Sequence, residues 1–239
     1  ESRVRYSETD ESGRLSVTGI MNYFQDCSTF QSEDLHMGLS HLERVRRAWW
    51  LNSWQIVVSR YPALGEEVVI GTWPYDFKGF YGYRNFTICD PAGNYLVRAN
   101  SVWFLFDTEL GRPVKVKEEN IRGYGRGDEK RLEMEYAPRK ITVPAEYEEA
   151  ECVTIAKHHI DTNHHVNNAQ YVEIAREVLP SEIEVGELRV EYKKAAVCGD
   201  VVYPHVSRTD EGYTVSLCDE QGAAYAVIWL RGKTREDVR

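Results

Sequence analysis

Asp161-Thr162-Asn163-His164-His165-Val166-Asn167-Asn168-Ala169-Gln170-Tyr171 is the stretch on which the reading of this chain turns. With His158 and His159 just ahead of it, four histidines, one aspartate and three asparagines fall within residues 158–168. Polar groups this dense do not fill a core, because each buried one needs a partner. An apolar run with helical period follows at once: Ala169, Val172, Ile174, Ala175, Val178 and Leu179. The cluster therefore stands where the chain turns into a helix. Helix N-termini present unpaired N–H groups and partial positive charge. Negative charge developing on a carbonyl oxygen can be stabilised there.

Working outward, the same pattern occurs twice. Asp10–Asp26 lines up with Asp161–Glu177 at one constant offset, which places Ile20 on Tyr171 and Phe24 on Ala175. Cys89-Asp90-Pro91-Ala92-Gly93 lines up with Cys218-Asp219-Glu220-Gln221-Gly222, and Gly65–Val69 matches Gly199–Val202 in character. In the first copy a strand is expected at Arg3–Tyr6. A helix capped by Ser16 or Thr18 should follow, with Ile20, Met21, Phe24, Cys27 and Phe30 on one face. Strands are expected at Trp49–Ser59, Glu67–Trp73, Phe80–Cys89 and Tyr95–Phe106. In the second copy a strand at Glu151–Lys157 precedes a helix over roughly Asn167–Val178. Strands follow at Glu187–Lys193, Asp200–Ser207, Tyr213–Asp219 and Ala223–Arg231. Between the copies, Arg112–Lys140 mixes nine basic and six acidic residues with Gly123, Gly125 and Gly127, as a long connection does. The expected class is α+β, a tandem hotdog in which two long central helices are each wrapped by an antiparallel sheet. Residues 1–110 and 150–239 form the two halves and 111–149 the connection.

Composition narrows the function. The apolar share of 42% supports a packed core and argues against disorder. A net charge of −9 argues against general nucleic-acid binding, which needs a basic footprint. No apolar run approaches 18 residues, so no membrane span is expected. Cys27, Cys89, Cys152, Cys198 and Cys218 are scattered, odd in number and without a CxxC pair, which fits reduced thiols and a cytoplasmic protein. Adjacent His-His pairs point to opposite sides of an extended chain, so neither a metal nor another cofactor is expected.

Further motifs stand in the first half at Tyr6-Ser7-Glu8-Thr9-Asp10, Gly13-Arg14-Leu15, Tyr23-Phe24-Gln25-Asp26 and Arg60-Tyr61-Pro62. Thr72-Trp73, Arg84-x-Phe86-x-Ile88-x-Asp90, Ser101-Val102-Trp103 and Gly111-Arg112-Pro113 add to them, and in the second half Asp161-x-Asn163-x-His165-Val166-Asn167-Asn168-x-x-Tyr171. Together these motifs give the chain, over nearly its whole length, a resemblance to the acyl-acyl carrier protein thioesterases. It implies hydrolysis of a fatty acyl-acyl carrier protein thioester to free fatty acid. It also implies acyl-chain binding in the first half and catalysis in the second. Acyl carrier protein is the implied partner, and monomer and homodimer both remain open. A non-catalytic acyl-binding protein and an acyl-CoA thioesterase are the alternatives.

The resemblance gives Asp161, Asn163 and His165 catalytic roles. Asp161 would be nucleophile or base toward water, His165 would orient or relay a proton, and Asn163 would hold water or the substrate carbonyl. An extended or turn-like lead-in would face the three to one side. Backbone N–H groups at Val166 and Asn167, near the helix start, would polarise the carbonyl. Residue chemistry alone favours an Asx turn or a helix cap for Asp161. The family carries an acidic residue and a cysteine where this chain has Ala195-Ala196. That removes the nucleophile of a cysteine mechanism and leaves Glu191 or Asp200 as possible stand-ins, while Cys198 reads as a strand-end residue. In the first copy Ser12 and Arg14 stand where Asn163 and His165 do, so that half reads as chemically retired. Met21, Phe24, Phe30, Trp49 and Trp50 are its candidate acyl-chain wall.

Overall fold

The computed structural model describes residues 1–125, 130–181 and 183–233. Arg126 and Gly127 of the connection, with Asp128 and Glu129, lie outside the described residues. The chain divides into two units. The first is Glu1–Asn52 with Arg60–Tyr136, and the second is Ser53–Ser59 with Ala137–Arg239. The connection expected over 111–149 is thus shared between them, changing over at Tyr136–Ala137, and a piece of strand before it belongs to the second unit.

The first unit opens with β1 (Ser2–Arg3) and α1 (Val17–Asp34). Next come α2 (Leu39–Arg44), β2 (Arg47–Val58), β3 (Glu67–Lys78), β4 (Tyr81–Cys89) and β5 (Tyr95–Asp107). β6 (Arg112–Pro113) and the short α3 (Glu118–Ile121) complete it. β1, β3, β4 and β5 pair antiparallel in that order, and β6 adds to β5. The Ser16 hydroxyl accepts the Gly19 N–H at 2.9 Å and caps α1, satisfying one of the helix's unpaired donors. α1 buries Ile20, Met21 and Phe24, and the Phe24 ring lies 5.1 Å from that of Phe86 on β4. Both rings are fully excluded from solvent, which stabilises by about 1.5–3 kcal/mol each.

The second unit holds β7 (Glu148–Glu149), β8 (Val153–Thr154) and α4 (Asn168–Glu177). Its longer strands are β9 (Val185–Tyr192), β10 (Val201–Thr209), β11 (Gly212–Cys218) and β12 (Ala224–Gly232). β9, β12, β11 and β10 pair antiparallel, β7 extends β10, and Ser53–Val57 of β2 pair with β9. α4 buries Ala169, Tyr171, Val172, Ile174 and Ala175. It has only ten residues, against eighteen in α1, so one of the two expected long helices is short. The strand expected over Glu151–Lys157 shrinks to Val153–Thr154, and a 3-10 turn at Lys157–His159 takes over.

Candidate active site

The polar cluster is a closed turn, not an extended lead-in. Asp161 N–H donates to the His165 carbonyl at 2.9 Å, and His164 N–H donates back to the Asp161 carbonyl at 3.0 Å. Ile160 and Val166 form a bridge at the neck. His164 takes a left-handed φ of 62° to close the loop, a conformation in which histidine is enriched among non-glycine residues. Asp161 Oδ1 accepts the Asn163 N–H at 2.8 Å, an Asx turn. The turn leaves Thr162, Asn163 and His164 exposed at the tip, with Asp161 and His165 half-buried at the neck. Asp161 and His165 therefore share one end of the loop, while Asn163 sits at the other. Simple alternation of side chains does not describe them.

α4 begins directly after this neck. Asn167 caps it, its side-chain oxygen accepting the Ala169 N–H at 2.9 Å. The two backbone donors expected to face a substrate are already engaged. Val166 N–H donates to the Ala196 carbonyl at 2.9 Å, and Asn167 N–H to the His159 carbonyl at 2.8 Å. Gln170 N–H donates to the Asn167 carbonyl. That leaves Asn168, the first residue of α4, whose N–H has no acceptor among the described residues. The Asn168 N–H, left open at this helix start, is one residue on from the expected pair.

A second layer holds the neck in place. Ala196 is fully buried; its N–H donates to the Tyr171 hydroxyl at 2.8 Å while its carbonyl anchors Val166. Burial first, then the charges of Tyr225, Asp200 and Asp161, push the Tyr171 hydroxyl up to about 12 against the pull of the Ala196 N–H. Asp200 Oδ2 accepts the Val197 N–H at 3.0 Å and the Tyr225 hydroxyl at 3.2 Å. Glu191 Oε2 accepts the Ile141 N–H at 3.2 Å and pairs with Lys193 at 3.4 Å. Both carboxylates considered as stand-ins for the missing acid therefore hold backbone segments. Cys198 is exposed. His159 is a turn residue, its Nδ1 accepting the Ala156 N–H at 3.0 Å, and burial then the His158 charge push its pKa down. Sequence reasoning gave neither Tyr171 nor Ala196 a part at the site.

The first unit contains a groove of about 700 Å3, counting its part open to solvent. Leu39, Leu42, Trp49, Phe77 and Trp103 give it an apolar wall. Of the five residues expected as acyl-chain wall, only Trp49 lines it. Met21 and Phe24 are core, Phe30 is 64% exposed, and Trp50 stacks on Phe106 at 3.8 Å. Phe30 follows Met21 by about two and a half helical turns, so it falls on the opposite side of α1 and faces outward while Met21 and Phe24 face the core.

A helix start of this kind given twice, each time followed by its own run of antiparallel strands, is the tandem hotdog architecture. The profile of the acyl-ACP thioesterase N-terminal domain matches residues 1–124, and that of the C-terminal domain residues 133–229. The chain belongs to the acyl-ACP thioesterase family. It is 27% identical over 224 residues to a chloroplastic acyl-[acyl-carrier-protein] hydrolase of Cuphea viscosissima, a match covering 87% of this chain and 53% of that protein. A dodecanoyl-[acyl-carrier-protein] hydrolase of Cinnamomum camphora is 25% identical, with 83% and 56% covered. The chain spans little more than half the length of these relatives. Two solved structures share its fold. An acyl-ACP thioesterase from Bacteroides thetaiotaomicron superposes with a TM-score of 0.87 at 19% identity, over 97% of this chain and 96% of that one. The 12:0-ACP thioesterase from Umbellularia californica gives 0.81 at 19% identity, over 96% and 94%. No helix among the described residues is long and apolar enough to cross a membrane.

Proposed function

We propose that this chain hydrolyses the thioester of fatty acyl-acyl carrier protein and releases the free fatty acid. The observation that carries the reading is a carboxylate with open lone pairs at the neck of a turn that leads into a helix start whose first N–H has no acceptor among the described residues. Asp161 Oδ1 accepts one N–H, from Asn163, among the described residues, so the carboxylate retains acceptor capacity for a water proton. In the proposed step Asp161 takes that proton as the water oxygen bonds to the thioester carbon. The carbonyl oxygen becomes negative and is met by the Asn168 N–H at the positive end of α4. The C–S bond then breaks, and the departing thiolate receives the proton. His165 orients the water or relays the proton, and Asn163 contributes its amide from the loop tip. Family membership supports acyl carrier protein as the donor, and the groove of the first unit is assigned to the acyl chain. The five cysteines, all unpaired, fit a reducing compartment such as the cytoplasm.

The test is release of fatty acid from a panel of acyl-acyl carrier protein thioesters, with Asp161→Ala as control and the same acyl groups on CoA for comparison. No release from any thioester refutes hydrolysis; faster turnover on CoA refutes the carrier assignment. A second reading, a non-catalytic acyl-binding protein, is favoured by Ala195-Ala196, since Ala196 is sealed in the core and supplies no acid or thiol. Tight acyl binding without turnover would select it.

A further inference from the structure

The groove of the first unit has a wall that a plain hydrocarbon chain does not explain. Opposite the aromatic and leucine side chains, α1 contributes Gln25, Ser28, Thr29 and Ser32, and β4 contributes Arg84. The serine hydroxyls are engaged: Ser28 Oγ donates to the Gln25 carbonyl at 2.9 Å, and Ser32 Oγ donates to the Ser28 carbonyl at 2.8 Å while accepting the Tyr124 hydroxyl at 2.8 Å. Arg84 is different. It is 9% exposed and has no carboxylate within ion-pair distance among the described residues. Its Nη1 donates to Gln31 Oε1 and, at 3.0 Å, to Thr72 Oγ1, and its guanidinium lies 5.6 Å from the centre of the Tyr124 ring. A guanidinium has five N–H donors. Those on Nε and Nη2 have no acceptor among the described residues.

A buried charge held only by neutral groups is costly, and burial lowers the Arg84 pKa to about 10. A methyl-ended chain would leave these donors unmet, and its methylenes would replace whatever water reaches them. Glu33 lines the same groove, with one oxygen accepting the Leu39 N–H at 2.8 Å. A cation and an anion in one groove favour a neutral, dipolar group over a second carboxylate.

We infer that Arg84 is a specificity-determining residue, and that the groove takes fatty acyl chains bearing a hydroxyl or oxo oxygen, which accepts from the unclaimed guanidinium N–H groups. The identity of the chain as fatty acyl rests on the proposed function; the preference for oxygen rests on the groove. A hydrogen bond to a charged donor is worth roughly tenfold or more in affinity over a chain that lacks it.

Trp49 and Trp103 line the groove, so their emission reports binding without any need for hydrolysis. The full chain would be titrated with positional hydroxy and oxo fatty acids of one chain length, with the unsubstituted acid and with the ω-dicarboxylic acid. At least one oxygenated isomer is expected to bind about tenfold more tightly than the unsubstituted acid, with the dicarboxylic acid weaker than that isomer. Arg84→Met should abolish the preference and raise affinity for the unsubstituted acid, while Arg84→Lys, which keeps a charged donor, should retain part of it. Equal binding of oxygenated and plain acids by the parent chain overturns the inference even if neither variant folds. So does a preference that survives in Arg84→Met. A dicarboxylic acid binding most tightly overturns the choice of a neutral oxygen. Absence of hydrolysis in the thioester panel would refute the proposed function and leave this titration standing.

Discussion

Replacing Asn168 by proline isolates the backbone donor assigned to the oxyanion. Proline removes one N–H and is tolerated at the first position of a helix, which Asn168 occupies. The preceding residue is already suited to it: Asn167 has φ −58° and ψ 140°, within the range a following proline requires. The Asn168 carbonyl still accepts the Tyr192 hydroxyl, at 2.9 Å in the parent, because proline keeps its carbonyl. No internal hydrogen bond is lost, since the Asn168 N–H has no acceptor among the described residues. Stability should therefore change by less than about 1 kcal/mol. Removing an oxyanion donor costs about 10²–10³ in turnover, roughly 3–4 kcal/mol of barrier. Asn168→Ala is the control, because it deletes the side chain and keeps the N–H. Single-turnover release of fatty acid would be followed for parent and both variants, with urea unfolding beside it. Product acid is the better readout than thiol, since Cys152 and Cys198 are exposed and would react with a thiol reagent. If the proline variant turns over within threefold of the alanine variant while both remain folded, Asn168 is not the oxyanion donor.

Asp161→Asn keeps an oxygen to accept the Asn163 N–H and should fold as the parent does, yet lose about 10²–10⁴ in kcat. Asp161→Ala should lose both turnover and about 1 kcal/mol of stability with the turn bond, and an Asp161→Asn variant with near-parental kcat would remove Asp161 from the chemistry. Tyr171→Phe strips the acceptor from a fully buried Ala196 N–H and should cost about 1–3 kcal/mol in urea unfolding; an unchanged midpoint would show that this brace carries no load. Glu66 accepts from Arg60 at 2.9 and 2.6 Å and from the Ala63 N–H at 2.9 Å, and the Arg60 hydrogen bonds, with that N–H, hold its carboxyl below the usual carboxylate range. A depressed folded pKa gives stability that is present above the unfolded value near 4.3 and is lost as pH falls through the folded one. The stability gap between parent and Glu66→Gln should therefore shrink below about pH 4, and a gap constant from pH 7 to 3 would contradict the assignment.

The strands were legible because alternation and punctuation both mark them: β4 and β5 start and stop within a residue or two of the expected bounds, on either side of Asp90–Asn94. Ser16 was legible as a cap for the same local reason. α2 was not, since six residues are too few to establish a helical period. The engagement of the Val166 and Asn167 N–H groups is not legible in the sequence, because an N–H is available only if nothing distant claims it. Val166 is claimed by Ala196, thirty residues on, and no local pattern announces that pairing. The left-handed turn at His164 was hidden as well, although its counterpart in the first copy is a glycine, Gly13, with φ 72°.

Comparison of the two copies also bears on the proposal that only the second copy is reactive. Asp10 N–H donates to the Arg14 carbonyl, Gly13 N–H to the Asp10 carbonyl and Ser16 N–H to the Glu8 carbonyl. Each bond has its equivalent around Asp161, His164 and Asn167. The backbone is the same machine twice, so backbone geometry does not distinguish an active copy from an idle one. The side chains do. Asp10 Oδ1 accepts the Ser12 N–H at 2.9 Å, the Ser12 hydroxyl, and the Arg14 N–H at 3.3 Å, while Arg14 Nε donates to Ser12 Oγ at 3.0 Å. Three donors therefore crowd the lone pairs of that one oxygen. Asp161 keeps the turn-forming bond, and Asn163 has no hydroxyl to turn back onto it as Ser12 does onto Asp10. The turn gives the aspartate its structural role in both copies; the chemical role proposed for Asp161 rests on acceptor capacity that the Ser12 hydroxyl takes up at Asp10.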